Sequence, residues 1–156
     1  MLEQLLPGAQ HLQNPHPLVV HFPIAFLYGA ALLYFVAWVS RRESIAWAAL
    51  WLLVLGVLGA GVAVGTGLWS AEGVMLDPSV KEHLLEAHEN LMIATAIVAT
   101  VMTLWALLQR PMPASALRYV FLFGLLVMIV LMTKGADYGG MMVYDYNAGG
   151  GACQQP

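Results

Sequence analysis

Four long apolar runs dominate this chain, each able to cross roughly 30 Å of hydrocarbon. They cover positions of about 17–39, 45–69, 87–108 and 117–132. Lipid offers no partner to a bare N–H or C=O group, so runs of this kind resolve into helices. The expected fold is therefore all-α: a single integral membrane four-helix bundle, with residues 133–156 as a glycine-rich outer tail. Composition agrees, with 60% hydrophobic and 10% charged residues, against about 25% charged in soluble domains. A net charge of -3 and the lack of a basic stripe exclude a nucleic-acid partner. The opening segment, Met1–Pro15, carries neither basic residues nor an apolar run and does not read as a secretory signal. The lone Cys153 has no CxxC or CxxCH context and is read as a bystander.

Orientation follows from the basic residues. Arg41, Arg42, Arg110 and Arg118 flank the two short turns, while Lys81 and Lys134 lie at the opposite end. The positive-inside rule puts the turns in the cytoplasm and both termini in the periplasm of a bacterial inner membrane. The periplasmic side then collects Glu3, Glu72, Asp77, Glu82, Glu86, Glu89, Asp137 and Asp145. Trp38, Trp47 and Trp105 fall near the inner boundary and Trp69 near the outer one, as interfacial anchors do.

Two further patterns concern packing. Gly61 and Gly65 form a GxxxG step, which lets another backbone approach closely or clears room for a flat cofactor. At an offset of 67 residues, His16 maps onto His83, His21 onto His88, Trp38 onto Trp105, Thr66 onto Thr133, Gly73 onto Gly140 and Met75 onto Met142. A repeat of two-span hairpins predicts a pseudo-twofold axis along the membrane normal.

Chemistry concentrates in the histidines. His16 and His21 form one H-x4-H pair and His83 and His88 another, each at the outer entrance of an odd-numbered span. Ionisable groups at membrane depth are costly and usually face the bundle interior. Five residues of straight helix rotate a side chain by about 140°, so neither pair is a simple chelate. Pro17 biases His16 toward extended geometry, and Pro23 frees the carbonyl of Val19, which predicts a broken entrance to the first helix. Neutral imidazole ligates haem iron, copper and zinc. The expected site is one haem b held axially by His21 and His88 near the axis. His16 and His83 would then bind a second haem or meet propionates. A copper or zinc site on the same histidines, with Glu86, is the alternative; His11 is read as exposed. Tyr144, Met141 and Met142 belong to the tail, read as a flap over the helix mouths, and the two adjacent methionines lack a chelating pattern.

The segment Asn14-Pro15-His16-Pro17-Leu18-Val19-Val20-His21-Phe22-Pro23-Ile24 resembles the HPxxVHFPI signature of a bacterial family of four-helix membrane proteins, domain-of-unknown-function family 2231. Gly139-Gly140-Met141-Met142-Val143-Tyr144 is similar to an element that follows that family's last helix. The resemblance implies a four-span fold and an association with c-type cytochromes and Rieske proteins. It favours haem and electron transfer; the leading expectation is a b-type cytochrome that passes electrons between a quinol and a separate periplasmic acceptor. This chain has no CxxCH, no Rieske ligand set and no second domain, so such a partner is another chain. No nucleophile–base or acid pair is visible in the spans, which speaks against a stand-alone enzyme. The rival reading is an accessory or scaffold subunit of a larger membrane complex.

Overall fold

In the computed structural model, residues 16–148 are described, except 72 and 75. His11, Cys153, Glu3, Glu72 and Met75 therefore lie outside the described residues. Four helices are long and apolar enough to cross a membrane: α1 (His16–Ser40), α2 (Glu43–Ala71), α3 (Pro78–Gln109) and α4 (Leu117–Tyr144). No strand occurs among the described residues. Each helix packs on its neighbours in the cyclic order α1, α2, α3, α4, with α4 returning to α1. The up-down course puts Arg41, Arg42, Arg110 and Arg118 at one end and all four described histidines at the other. These are called below the arginine end and the histidine end.

The core is a seam of mostly small and sulfur-containing residues at helical spacing. α1 contributes Leu27, Ala30, Tyr34 and Ala37, and α2 contributes Ala46, Ala49, Leu53, Gly56, Ala60 and Ala63. α3 supplies Thr95, Ala99, Met102 and Ala106, and α4 Phe121, Leu125, Met128, Met132 and Gly135. Steps of three and four residues keep these positions on one face of each helix. The opposite faces are equally apolar, with Leu32, Phe35, Trp51, Leu58 and Phe123 exposed. Lipid accepts such a surface, so burial here is decided by close packing rather than by polarity. At the arginine end Tyr34, fully buried, meets Phe121 edge-on at 4.9 Å and donates to the Pro111 carbonyl at 3.1 Å.

Both odd-numbered helices enter irregularly. α1 loosens between its first turn, His16–Val19, and the main rod, His21–Ser40, although Val20 keeps helical dihedrals (φ -60, ψ -27) and its N–H reaches the His16 carbonyl at 3.1 Å. Pro23 has no N–H to offer the Val19 carbonyl, and the Ile24 N–H reaches Val20 only at 3.3 Å. α3 opens on Asp77, whose carboxylate accepts the Ser79 N–H at 2.9 Å, and then forms a π-helical turn over Lys81–Leu85. The first pair keeps the rotation expected along a helix, with His16 half-buried and His21 exposed, while a π turn lies between the exposed His83 and the half-buried His88.

The largest departure from the sequence reading is the fourth helix. Residues 133–144 continue α4 instead of forming a tail, because their glycines serve close approach rather than turning. A Cβ on Gly135 would overlap the Met92 side chain, and one on Gly139 would lie 3.1 Å from the His88 ring. The helix stops where Asn147 turns left-handed (φ 54) and the Ala148 N–H closes onto the Met142 carbonyl at 2.8 Å. Likewise α3 begins at Pro78 rather than near residue 87.

Candidate functional site at the histidine end

His16, at the head of α1, and His88, near the head of α3, both lie half-buried at the histidine end of the bundle. His16, in the first turn of α1, is turned onto α2. Its Nδ1 lies 3.2 Å from Thr66 Oγ1. The Thr66 hydroxyl proton is directed at the Val62 and Ala63 carbonyls, at 3.0 and 3.1 Å, so its oxygen accepts from the imidazole. Gly67 makes the approach possible, since a Cβ there would stand 3.0 Å from His16 Cε1.

His88 is held in the same style by the other hairpin. Its Nδ1 lies 2.7 Å from the Gly135 carbonyl of α4, which can only accept, so Nδ1 carries the proton. Gly139, one turn further along α4, makes room for the ring. Both imidazoles are thus half-buried, packed on a glycine and anchored through Nδ1. The neutral tautomer with its proton on Nδ1 presents its lone pair on Nε2, the form in which histidine binds metals.

The expected partner of His88 was His21, and the structure differs. His21 is exposed at the head of the main rod of α1, and His83 is exposed within the π turn. Helical phase is the physical reason: Val20 keeps helical dihedrals, so, five residues on, the His21 side chain stands about 140° around α1 from that of His16. Glu82 and Glu86 are exposed as well. Among the described residues, no group of three or more His, Cys, Asp or Glu side chains converges.

Sequence reasoning missed Thr66, Gly67, Gly135 and Gly139 as partners of the histidines. The one usable signal was the match of Thr66 to Thr133 in the repeat. Thr133 also turns its proton onto its own helix, to Ile129 at 2.7 Å, and accepts the Tyr28 hydroxyl of α1 at 2.6 Å. The GxxxG step behaves differently from the other glycines of α2. A Cβ on Gly61 or Gly65 would meet nothing within 4 Å. Gly61 instead lines an open groove of about 330 Å³ with Val64, Ile93, Ala96, Ile97 and Thr100.

A family model described as "Predicted membrane protein (DUF2231)" matches residues 13–151. The chain belongs to that family. Comparison with curated proteins and with solved structures gave no match. The DUF2231 match takes in all four helices and every residue of the histidine site.

Proposed function

We propose that this DUF2231 protein is a membrane-bound, b-type cytochrome-like electron-transfer protein whose haem would be held by His16 and His88. The observation that carries the reading is a pair of half-buried imidazoles at one end of the bundle, each anchored through Nδ1. Haem supplies four equatorial nitrogens itself and asks the protein for two axial ligands, whereas a structural zinc asks for four. A donor set of two imidazoles suits the first demand better than the second, and the copper or zinc alternative ranks below haem for the same reason. When bound, the haem would supply one-electron chemistry. The chain's own residues would fix ligand orientation through Thr66 and the Gly135 carbonyl, and tune the site by burial.

The same reading takes the arginine end as cytoplasmic, so that the site faces the periplasm of the inner membrane. Quinone and a separate c-type cytochrome or similar periplasmic protein are the proposed redox partners. The accessory-subunit reading retains one observation of its own, the unfilled face at Gly61 and Gly65, where a neighbouring helix would fit.

The test is a reduced-minus-oxidised visible spectrum of the detergent-purified protein from haem-replete cells. The sharp low-spin band of a bis-imidazole haem is expected in the wild type, in His21→Ala and in His83→Ala. It should vanish in His16→Ala and in His88→Ala, with circular dichroism confirming that each variant is folded. A colourless wild type sinks the haem reading. A band lost in His21→Ala but kept in His16→Ala would reverse the ligand assignment.

A further inference from the structure

We infer, resting on the electron-transfer reading above, that the paired hydroxyls of Tyr28 and Thr133 on the α1/α4 seam form a lipid-facing site for a hydroquinone, selective for the reduced form over the quinone.

Tyr28 of α1 and Thr133 of α4 meet at 2.6 Å across the seam, and both residues are exposed. Thr133 stands roughly 24 Å along α4 from Leu117. Tyr28 stands roughly 18 Å along α1 from Ser40, with its side chain leaning back toward the helix start and so toward the level of Thr133. Against roughly 30 Å of hydrocarbon, the two oxygens face lipid in the half of the membrane nearer the histidine end. Polar groups at such depth usually turn toward the bundle interior and mark sites. The hydroxyls of Thr95, Thr100 and Thr103, by contrast, each close onto a carbonyl of their own helix.

Both protons of the pair are already committed. Thr133 donates to the Ile129 carbonyl at 2.7 Å, so Tyr28 donates to Thr133 and its own oxygen keeps acceptor capacity for an incoming group. The pair thus offers lone pairs and no free proton. A ligand suited to it is a hydroxyl donor that travels within the hydrocarbon, a depth that phospholipid head groups avoid. A hydroquinone ring meets both demands. The oxidised quinone carries only acceptors and gains a bond here only by drawing the Tyr28 proton away from Thr133. Position points the same way. Gly135, whose carbonyl holds His88, lies in the same turn of α4 as Thr133, so a hydroquinone on Tyr28 would stand beside the anchor of one proposed haem ligand.

Decylubiquinol and decylubiquinone are the probes, titrated into the full-length protein in phosphatidylcholine nanodiscs, with ligand bound in excess of empty discs as the readout. Phosphatidylcholine carries no hydroxyl donor of its own. The wild type should hold the quinol about fivefold more tightly than the quinone, the worth of one hydrogen bond. Tyr28→Phe, which keeps the ring, should bring the quinol down to the affinity of the quinone. Thr133→Val should erase the preference from the other side, by raising quinone affinity, because the Tyr28 proton is then free to donate. A contact that merely held the helices together would weaken both ligands alike in both variants, and thermal unfolding confirms that each variant is folded. Equal affinity for the two forms in the wild type, or a preference that survives Tyr28→Phe, overturns the inference. So does loss of quinol binding in phosphatidylglycerol discs, where head-group hydroxyls would be the occupants. The titrations need no haem, so a haem band without quinol preference sinks this site alone, and quinol preference in a colourless protein sinks the haem reading alone.

Discussion

Glycine serves opposite ends at neighbouring positions of α2. Gly56 faces α1, where an added Cβ would come within 2.5 Å of Leu27 Cδ2 and 2.9 Å of its Cγ, while Gly61 faces open space. Gly56→Ala is expected to destabilise by about 1–3 kcal/mol through overpacking. Gly61→Ala should be neutral or stabilising by up to about 1 kcal/mol, since alanine is the better helix former. Thermal unfolding of the two variants in the same detergent separates these outcomes. At the arginine end, Tyr34→Phe removes the donor to the buried Pro111 carbonyl while keeping the ring against Phe121. A loss of about 1–3 kcal/mol is expected in the same assay, because the carbonyl is left unsatisfied away from water.

At the level of elements, the fourth helix and the entrance to the third make separate demands. If residues 133–144 are helix, their amides should be protected from hydrogen exchange as strongly as those just before them, with protection ending near Asn147. Rapid exchange from Thr133 onward would restore the flexible tail that glycine content alone suggests. The start of α3 depends on Asp77, whose carboxyl is held below its ordinary value of 3.8 by the Ser79 side chain and then by the Ser79 backbone N–H. A depressed carboxyl pKa contributes stability above its unfolded value, and that contribution is lost as pH falls through the folded one. Protection factors for the first turn of α3 should therefore hold at neutral pH and decline below about pH 3.8. Asp77→Asn should flatten that dependence while retaining a cap, since asparagine also accepts the Ser79 N–H.

For the whole molecule, the four arginines at one end against the carboxylates at the other predict the orientation in the membrane. In a Cys153→Ser background, Ala114→Cys at the arginine end should resist a membrane-impermeant maleimide in intact cells, and Ser79→Cys at the histidine end should react; the reverse pattern would invert the topology. The spans, their number and the family were legible because long apolar runs and the HPxxVHFPI element are local features, and a backbone in lipid has few choices. The faces were not legible. Apolar residues surround every helix, so no polarity marks which side of α2 meets α1, and Gly61 reads like Gly56 until the neighbours are placed. The repeat matched His21 with His88, whereas His21 is exposed and His16 and His88 are half-buried, because spacing alone does not say which face of α1 meets α2. By itself the sequence determined an all-helical membrane protein with imidazoles gathered at one end, since hydropathy and charge act locally along the chain. Only the tertiary structure decided that Thr66 holds His16 and that the Gly135 carbonyl holds His88. Those contacts span about fifty residues, and packing between helices sets them.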